Sequence, residues 1–325
     1  MKREKLSRST IKRRFFIFLI IFIIIAACSS PPEKTLNDKL RPYQTGSEIN
    51  IAANEYDTSP TKGSCSYGFH AISYGEIGLV TALHCTNTNY DYEGNFIVTG
   101  ERVWQSYADD AYAVAKVKQK PILFNKRNDN ICREAIEELG RGDLYWCLRA
   151  DAAFAPFIYQ SIANDDDLYQ AGAVANVPLS IDETNLGPVM QDDPHFYTGY
   201  SYVPFSNEGL YKIGMTTGKT VGYLVSEISL NIPLALEQGG EVVVLLGVYG
   251  AQSSNAATFA DLGDSGGPVF HSTNGNDGPF FTLTGIVSAG TGYGLLFVEP
   301  LGDILASIDI EVEYATGNGG YLGTP

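Results

Sequence analysis

Two residues stand out by their surroundings. His84 lies in the apolar run VTALHC (80–85), and Ser265 lies among glycines in LGDSGGPVF (262–270). A serine hydroxyl is a weak nucleophile at neutral pH. It attacks a carbonyl only when an adjacent base takes its proton, and an imidazole is suited to that exchange. The base needs a partner that fixes its tautomer. The attack builds an oxyanion, which needs N–H donors already aimed at it. Glycine permits backbone conformations that point consecutive N–H groups into one small hole. A side chain at Gly263 or Gly266 is expected to obstruct a substrate there. Two aspartates compete to orient the histidine. Asp151 opens the apolar run DAAFAPF (151–157), and Asp110 lies in ADDAYAVAKV, 26 residues after His84. Asp165 to Asp167 form a charge run on a loop and are expected to be solvated. His70, His195 and His271 lie in no motif and are expected to be structural or exposed.

The elements that must position these residues are strands. The chain has 325 residues, 44% of them hydrophobic and 18% charged, with 34 Gly and 20 Tyr. That is a globular composition. Short apolar runs with turn residues between them point to an all-β fold. EIGLVTALHC (76–85) reads as a buried strand ending at the histidine. NFIVTGERVWQSY, AYAVAKVKQKPILF and DAAFAPF read as further strands of a first unit. A second unit follows in GLYKIGMTTGKTVGYLVSEISL (209–230), EVVVLLGVYG (241–250), FFTLTGIVSAG (280–290) and YGLLFVEP (293–300). REAIEEL (133–139) and LGDILASI (301–308) read as short helices. No repeat of solenoid or propeller period is present.

The first 27 residues are set apart as a signal peptide. MKREKLSRSTIKRR holds seven Lys or Arg and one Glu, and FFIFLIIFIIIAA (15–27) follows as an apolar run of thirteen. A spanning helix needs about 20 such residues, so the run suits a secretory signal better than an anchor. IAAC (25–28) resembles a bacterial lipobox. The resemblance implies that Cys28 is lipidated and becomes the first residue of a lipoprotein held at a membrane of the bacterial cell envelope. Ser29 resembles an outer-membrane sorting signal. Residues 28–62 are polar and contain proline, and read as a tether. Residues 63–190 and 191–325 then form the two halves of one domain. The formal net charge is −15, and removal of the basic leader makes the remainder more acidic. Such a surface repels nucleic acid and anionic lipid.

With Cys28 assigned to lipid, four of the five cysteines remain, in an oxidising compartment. Four cysteines permit three pairings. Cys65 and Cys85 flank one strand-rich segment and Cys132 and Cys147 bracket CREAIEELGRGDLYWC, so disulfides 65–85 and 132–147 are expected. No CxxC and no histidine cluster points to a metal, and no cofactor is expected.

TALHC with GDSGGPV, histidine first and serine last, resembles the trypsin/chymotrypsin-like serine protease family, bacterial type, over residues 61–310. The resemblance implies two six-stranded antiparallel β-barrels with a short C-terminal helix. It implies a peptide-hydrolysing Ser-His-Asp triad. Ser265 is then the nucleophile, His84 the general base, and Gly263 and Ser265 the oxyanion donors. Cys65 and Cys85 resemble the family's disulfide around the catalytic histidine. LYKIGMTTGKTVG resembles a segment that opens the second barrel. GIVSAG followed by LLFVEPLGDILASI resembles the substrate-backbone strand and the closing helix, with Ser288 to Gly290 along the bound peptide. DAAF is similar to the family's aspartate followed by small and apolar residues. Asp151 is therefore the chosen third member, at the cost of an insertion that the Cys132–Cys147 loop supplies.

Several features depart from the pattern. Leu83 replaces an alanine before the histidine. No IVGG-like start precedes Cys65, so Asp264 must find another partner than a new N-terminus. Phe259 stands six residues before Ser265, where trypsin-type members keep an aspartate. A pocket formed by Phe259 to Leu262 then favours an apolar or small residue over Arg or Lys. The expected activity is that of a serine endopeptidase with a polypeptide substrate. The alternative is an inactive, protease-like lipoprotein that binds a partner, which an incomplete triad would favour. An esterase shares the mechanism, but GDSGG matches its GxSxG pattern by letters alone and lacks the strand–turn–helix context.

Overall fold

A computed structural model describes residues 34–315 except 39, 41–42, 53–63, 106–112, 161–168, 178, 180–189, 191–193, 205–208, 226–228, 237–240, 255–257, 273–279 and 291–293. Residues Thr35–Pro325 form one compact unit, and the leader, Cys28 and Asp110 lie outside the described residues. Among the described residues no helix is long and apolar enough to cross a membrane.

The unit is all-β with two α-helices among the described residues. The strands that the resemblance distributes over two barrels form three hydrogen-bonded sheets. The first orders Ser64–Ser66, Glu48–Ile51, Arg102–Gln105 and Ala115–Lys116. The second orders Glu311–Val312, Phe69–Ser73, Glu76–Thr81 and Ala153–Pro156. The third has eleven strands and holds His195–Tyr200, Leu210–Gly214, Gly218–Leu224, Val242–Ser253, Pro268–Ser272, Phe280–Gly290 and Leu295–Pro300.

Local chemistry accounts for several of these elements. Phe69–Ser73 and Glu76–Thr81 pair through a two-residue turn in which Tyr74 and Gly75 both have positive φ, 49° and 78°. That conformation matches the twist of the strands it joins. The Tyr74 hydroxyl donates to Asp309. Helix Asn130–Glu138 starts at Asp129, whose carboxylate accepts the Cys132 N–H at 2.9 Å. Helix Leu301–Ile308 ends at Asp309 in the left-handed region and buries Leu301, Ile304 and Ile308.

The structure corrects the extent of the tether. Residues 28–62 are not all linker, because Glu48–Ile51 is a strand paired on both edges, with Ser64–Ser66 and Arg102–Gln105. Leu36, Leu40, Tyr43, Ile49 and Ile51 are buried. The physical reason is tertiary. The apolar positions 49 and 51 are too few to signal a strand alone, but they cover the core beside Tyr67, Leu79 and Val103.

Candidate active site

His84 owes its place to the end of a strand. Glu76–Thr81 is followed by extended Ala82 and one 3-10 turn, Leu83–Cys85. Leu83 turns inward and is fully buried in the core, which accommodates a side chain larger than alanine. Thr86 closes the turn, its hydroxyl donating to the Leu83 carbonyl at 2.8 Å. The disulfide Cys65–Cys85 ties the turn to Ser64–Ser66, and a second joins Cys132 to Cys147.

Asp151 arrives from the neighbouring strand. Ala153–Pro156 runs antiparallel to Glu76–Thr81, with Thr81 opposite Ala153. The residues after Thr81 and those before Ala153 therefore emerge at the same end. His84 Nδ1 lies 2.7 Å from Asp151 Oδ2, and the His84 backbone N–H donates to Oδ1 at 3.0 Å. A third donor was not read from the sequence as such. The Ser288 hydroxyl donates to Oδ2 at 2.6 Å, so a residue assigned to the substrate strand also holds the aspartate. The imidazole is one-fifth exposed and Asp151 is fully buried.

These contacts set the charges. Burial by itself raises the Asp151 pKa, but the His84 charge and the hydrogen bonds from His84 and Ser288 pull it below the ordinary carboxylate value. Burial by itself lowers the His84 pKa, and the charge and hydrogen bond of Asp151 raise it above the ordinary imidazole value. With a carboxylate accepting at Nδ1, the neutral ring carries its proton there, and Nε2 is left basic.

Ser265 is delivered by the loop before Pro268–Ser272. The loop docks on the segment that carries His84. The Ser66 N–H donates to the Ser265 carbonyl at 2.8 Å, Cys85 Sγ lies 4.0 Å from that carbonyl, and the Gly266 N–H donates to Val287 at 2.7 Å. Gly263 and Gly266 have φ of 98° and 82°, in the region that favours glycine. The steric reason differs from the expected one. A Cβ on Gly266 would lie 2.3 Å from Thr81 Oγ1 and 2.8 Å from the Ala82 nitrogen, and one on Gly263 would lie 2.5 Å from Thr216 Oγ1. The glycines let protein meet protein, before any substrate is considered. The Gly263 carbonyl accepts from Ser66 Oγ and the Leu262 carbonyl from Thr216 Oγ1. Among the described residues the N–H groups of Gly263 and Ser265 have no acceptor, and no hydrogen bond joins the Ser265 hydroxyl to the imidazole.

Asp264 has its partner within the chain. Lys212, on Leu210–Gly214, places Nζ 2.7 Å from Asp264 Oδ2, and neither side chain is exposed. The Thr217 hydroxyl donates to the same oxygen at 2.6 Å, and the N–H groups of Thr216 and Thr217 donate to Oδ1. Burial lowers the Lys212 pKa below its ordinary value against the pull of Asp264. The turn GMTTG (214–218) thus wraps the aspartate that precedes the serine.

Other candidates fall elsewhere. Phe259 does not line an open pocket, which corrects the expected substrate contact. It is fully buried with Leu210, Ala251 and Val269, and its ring fills the space where Gly222 lacks a side chain. Leu262 is 85% exposed. Gly290 ends strand Phe280–Gly290, and a Cβ there would lie 2.9 Å from the Ala260 carbonyl. His70 is buried between the rings of Tyr67 and Tyr169, and burial pushes its pKa down to about 3. His195 packs on Phe281, and His271 is buried within Pro268–Ser272. Among the described residues no group of three or more His, Cys, Asp or Glu is placed to hold a metal.

No protein-family model matches the chain, and no curated protein matches it. Among solved structures the chain is similar to Thermobifida fusca Protease A, at 18% identity and a TM-score of 0.48, over 84% of this chain and 98% of that one. It is similar to Nocardiopsis protease at 18% identity and a TM-score of 0.46, over 77% and 93%. It is also similar to Cellulomonas bogoriensis chymotrypsin at 16% identity and a TM-score of 0.47, over 83% and 97%. At such identities and scores the function rests on the site's own chemistry.

Proposed function

We propose that the chain is a serine endopeptidase whose triad is Ser265, His84 and Asp151. The observation that carries this reading is the 2.7 Å contact of His84 Nδ1 with a buried Asp151, on a segment against which the Ser265 loop is docked. His84 Nε2 takes the Ser265 proton as Oγ adds to the scissile carbonyl. Asp151 holds the tautomer and stabilises the imidazolium. The oxyanion is received by the N–H groups of Gly263 and Ser265, which have no acceptor among the described residues. Collapse of the tetrahedral intermediate passes the proton from Nε2 to the leaving amine and leaves an acyl-serine, which water hydrolyses by the same route. In this reading a polypeptide substrate pairs with Ser288 to Gly290. Beyond Ile286 that strand has no further partner in Pro268–Ser272. Hydrogen bonds of this kind often tighten only when substrate is bound, so the lack of one from Ser265 to the ring among the described residues is compatible with this reading.

The same missing bond favours a second reading, in which the site is inactive and the domain binds a partner. Labelling with a fluorophosphonate decides between them. The wild-type chain should label and Ser265→Ala should not. A folded wild type that stays unlabelled removes the peptidase assignment. We further propose that Cys28 is lipidated and holds the domain at the bacterial cell envelope, supported by IAAC at the end of the apolar run. Incorporation of an alkyne fatty acid that is lost in Cys28→Ala tests this.

A further inference from the structure

A second buried carboxyl group lies against Asp151. Glu299 sits on Leu295–Pro300, opposite Ile286, and is fully buried. Its Oε2 accepts the Asp151 backbone N–H at 3.2 Å. Among the described residues its Oε1 is buried without a hydrogen-bond partner, and no cation pairs with it. Two carboxyl groups that lie in each other's field away from water do not both ionise unless cations match them. The donors decide which one holds the charge. Asp151 receives three hydrogen bonds, from the His84 N–H, the His84 ring and the Ser288 hydroxyl. Glu299 receives one, from a main-chain amide.

We propose that Glu299 is a positioning residue for the His84–Asp151 pair, a neutral carboxylic acid whose carbonyl oxygen holds the Asp151 main chain and whose own proton leaves Asp151 as the one negative charge behind the ring. Its kinetic consequence rests on the peptidase reading; its protonation does not. The groups around it agree. Burial pushes the Glu299 carboxyl well above its ordinary value, and the charges of Asp151 and, from helix Leu301–Ile308, Asp303 push the same way. Asp303 is itself raised by burial, with Arg149 pulling it back, and Tyr249 lies in its field. His84 stands on the other partner of the pair, bonded to Asp151. A second charge at Glu299 would hold the imidazolium proton more tightly and weaken His84 as a base near neutral pH. A neutral acid keeps the scaffold without that effect.

Infrared spectroscopy of the full chain at pH 7 tests the protonation. The difference between wild type and Glu299→Gln should contain the C=O stretch of a protonated carboxylic acid, and its absence overturns the proposal. Kinetics test the positioning. Glu299→Leu removes the acceptor and should lower kcat by about tenfold to a hundredfold with little change in KM, as a small misplacement of the pair does. Glu299→Gln, whose amide oxygen accepts the same N–H, should recover most of kcat and keep the acid limb of kcat/KM at its wild-type pH. A limb about one unit lower in Glu299→Gln means that Glu299 was charged. A Glu299→Leu chain that loses thermal stability but keeps kcat means that the role is structural alone. NMR titration of the His84 ring makes the same discrimination in a chain without hydrolytic activity, so the peptidase reading and this one fail separately.

Discussion

Asp151 sits at a strand end beside a histidine that is one-fifth exposed, whereas Asp264, one residue before Ser265, sits beside a lysine that water does not reach. Both carboxyl groups are fully buried and each accepts several hydrogen bonds. The difference lies in the partner. A histidine exchanges its proton near neutral pH, so the first pair can move a proton. A lysine buried against a carboxylate serves to keep a charge matched, so the second pair holds the Ser265 loop in shape. The chain uses the same residue type beside a histidine and beside a lysine, and solvent access to the basic partner separates the two pairs.

Breaking each pair should therefore give opposite signatures. The largest effect is expected for Asp151→Asn. The fold keeps its shape, but the ring is left in the wrong tautomer, and hydrolysis of a peptide substrate should fall about 10⁴-fold with little change in melting temperature. Lys212→Met should do the reverse. It strands a buried carboxylate and should cost about 3–5 kcal/mol in denaturant unfolding, while Lys212→Met with Asp264→Asn should recover much of that loss. A Lys212→Met chain as stable as wild type would remove the scaffold role.

The disulfides sharpen the contrast. Cys147 lies four residues before Asp151 in sequence, so loss of Cys132–Cys147 loosens the segment that delivers Asp151 and leaves Lys212–Asp264 in place. Cys132→Ala with Cys147→Ala should cost about 3 kcal/mol for a loop of this length. Turnover should fall more than in a control that cuts stability equally elsewhere. The smallest effect is on pH dependence. The folded pKa of His84 is raised above 6.5, so its contribution to stability is full below 6.5 and is lost as pH rises through the folded value. That of Asp151 is lowered below 3.8, so its contribution is full above 3.8 and is lost as pH falls through the folded value. His84→Gln and Asp151→Asn chains should lose these two slopes in urea midpoints measured across pH.

Much of this was legible in the chain itself. His84 and Ser265 announce themselves because their chemistry needs fixed neighbours within a few residues, and a strand ending at 81 and a glycine loop are local features. The helices at 130–138 and 301–308 show the same locality. The strand at Glu48–Ile51 was hidden because two isoleucines carry no period until a sheet supplies both edges. Phe259 was placed by its distance from Ser265, and only the packing of Gly222 and Leu210 around its ring turned it into the core.

Residue types alone determined that a hydroxyl and an imidazole were present in an order suited to acyl transfer. The tertiary structure decided which carboxylate meets the ring, that Lys212 answers Asp264, and that Ser288 and Glu299 converge on Asp151. These contacts join residues up to 148 positions apart. Partner choice at that range follows from strand register and burial, and neither is written in any short stretch of the chain.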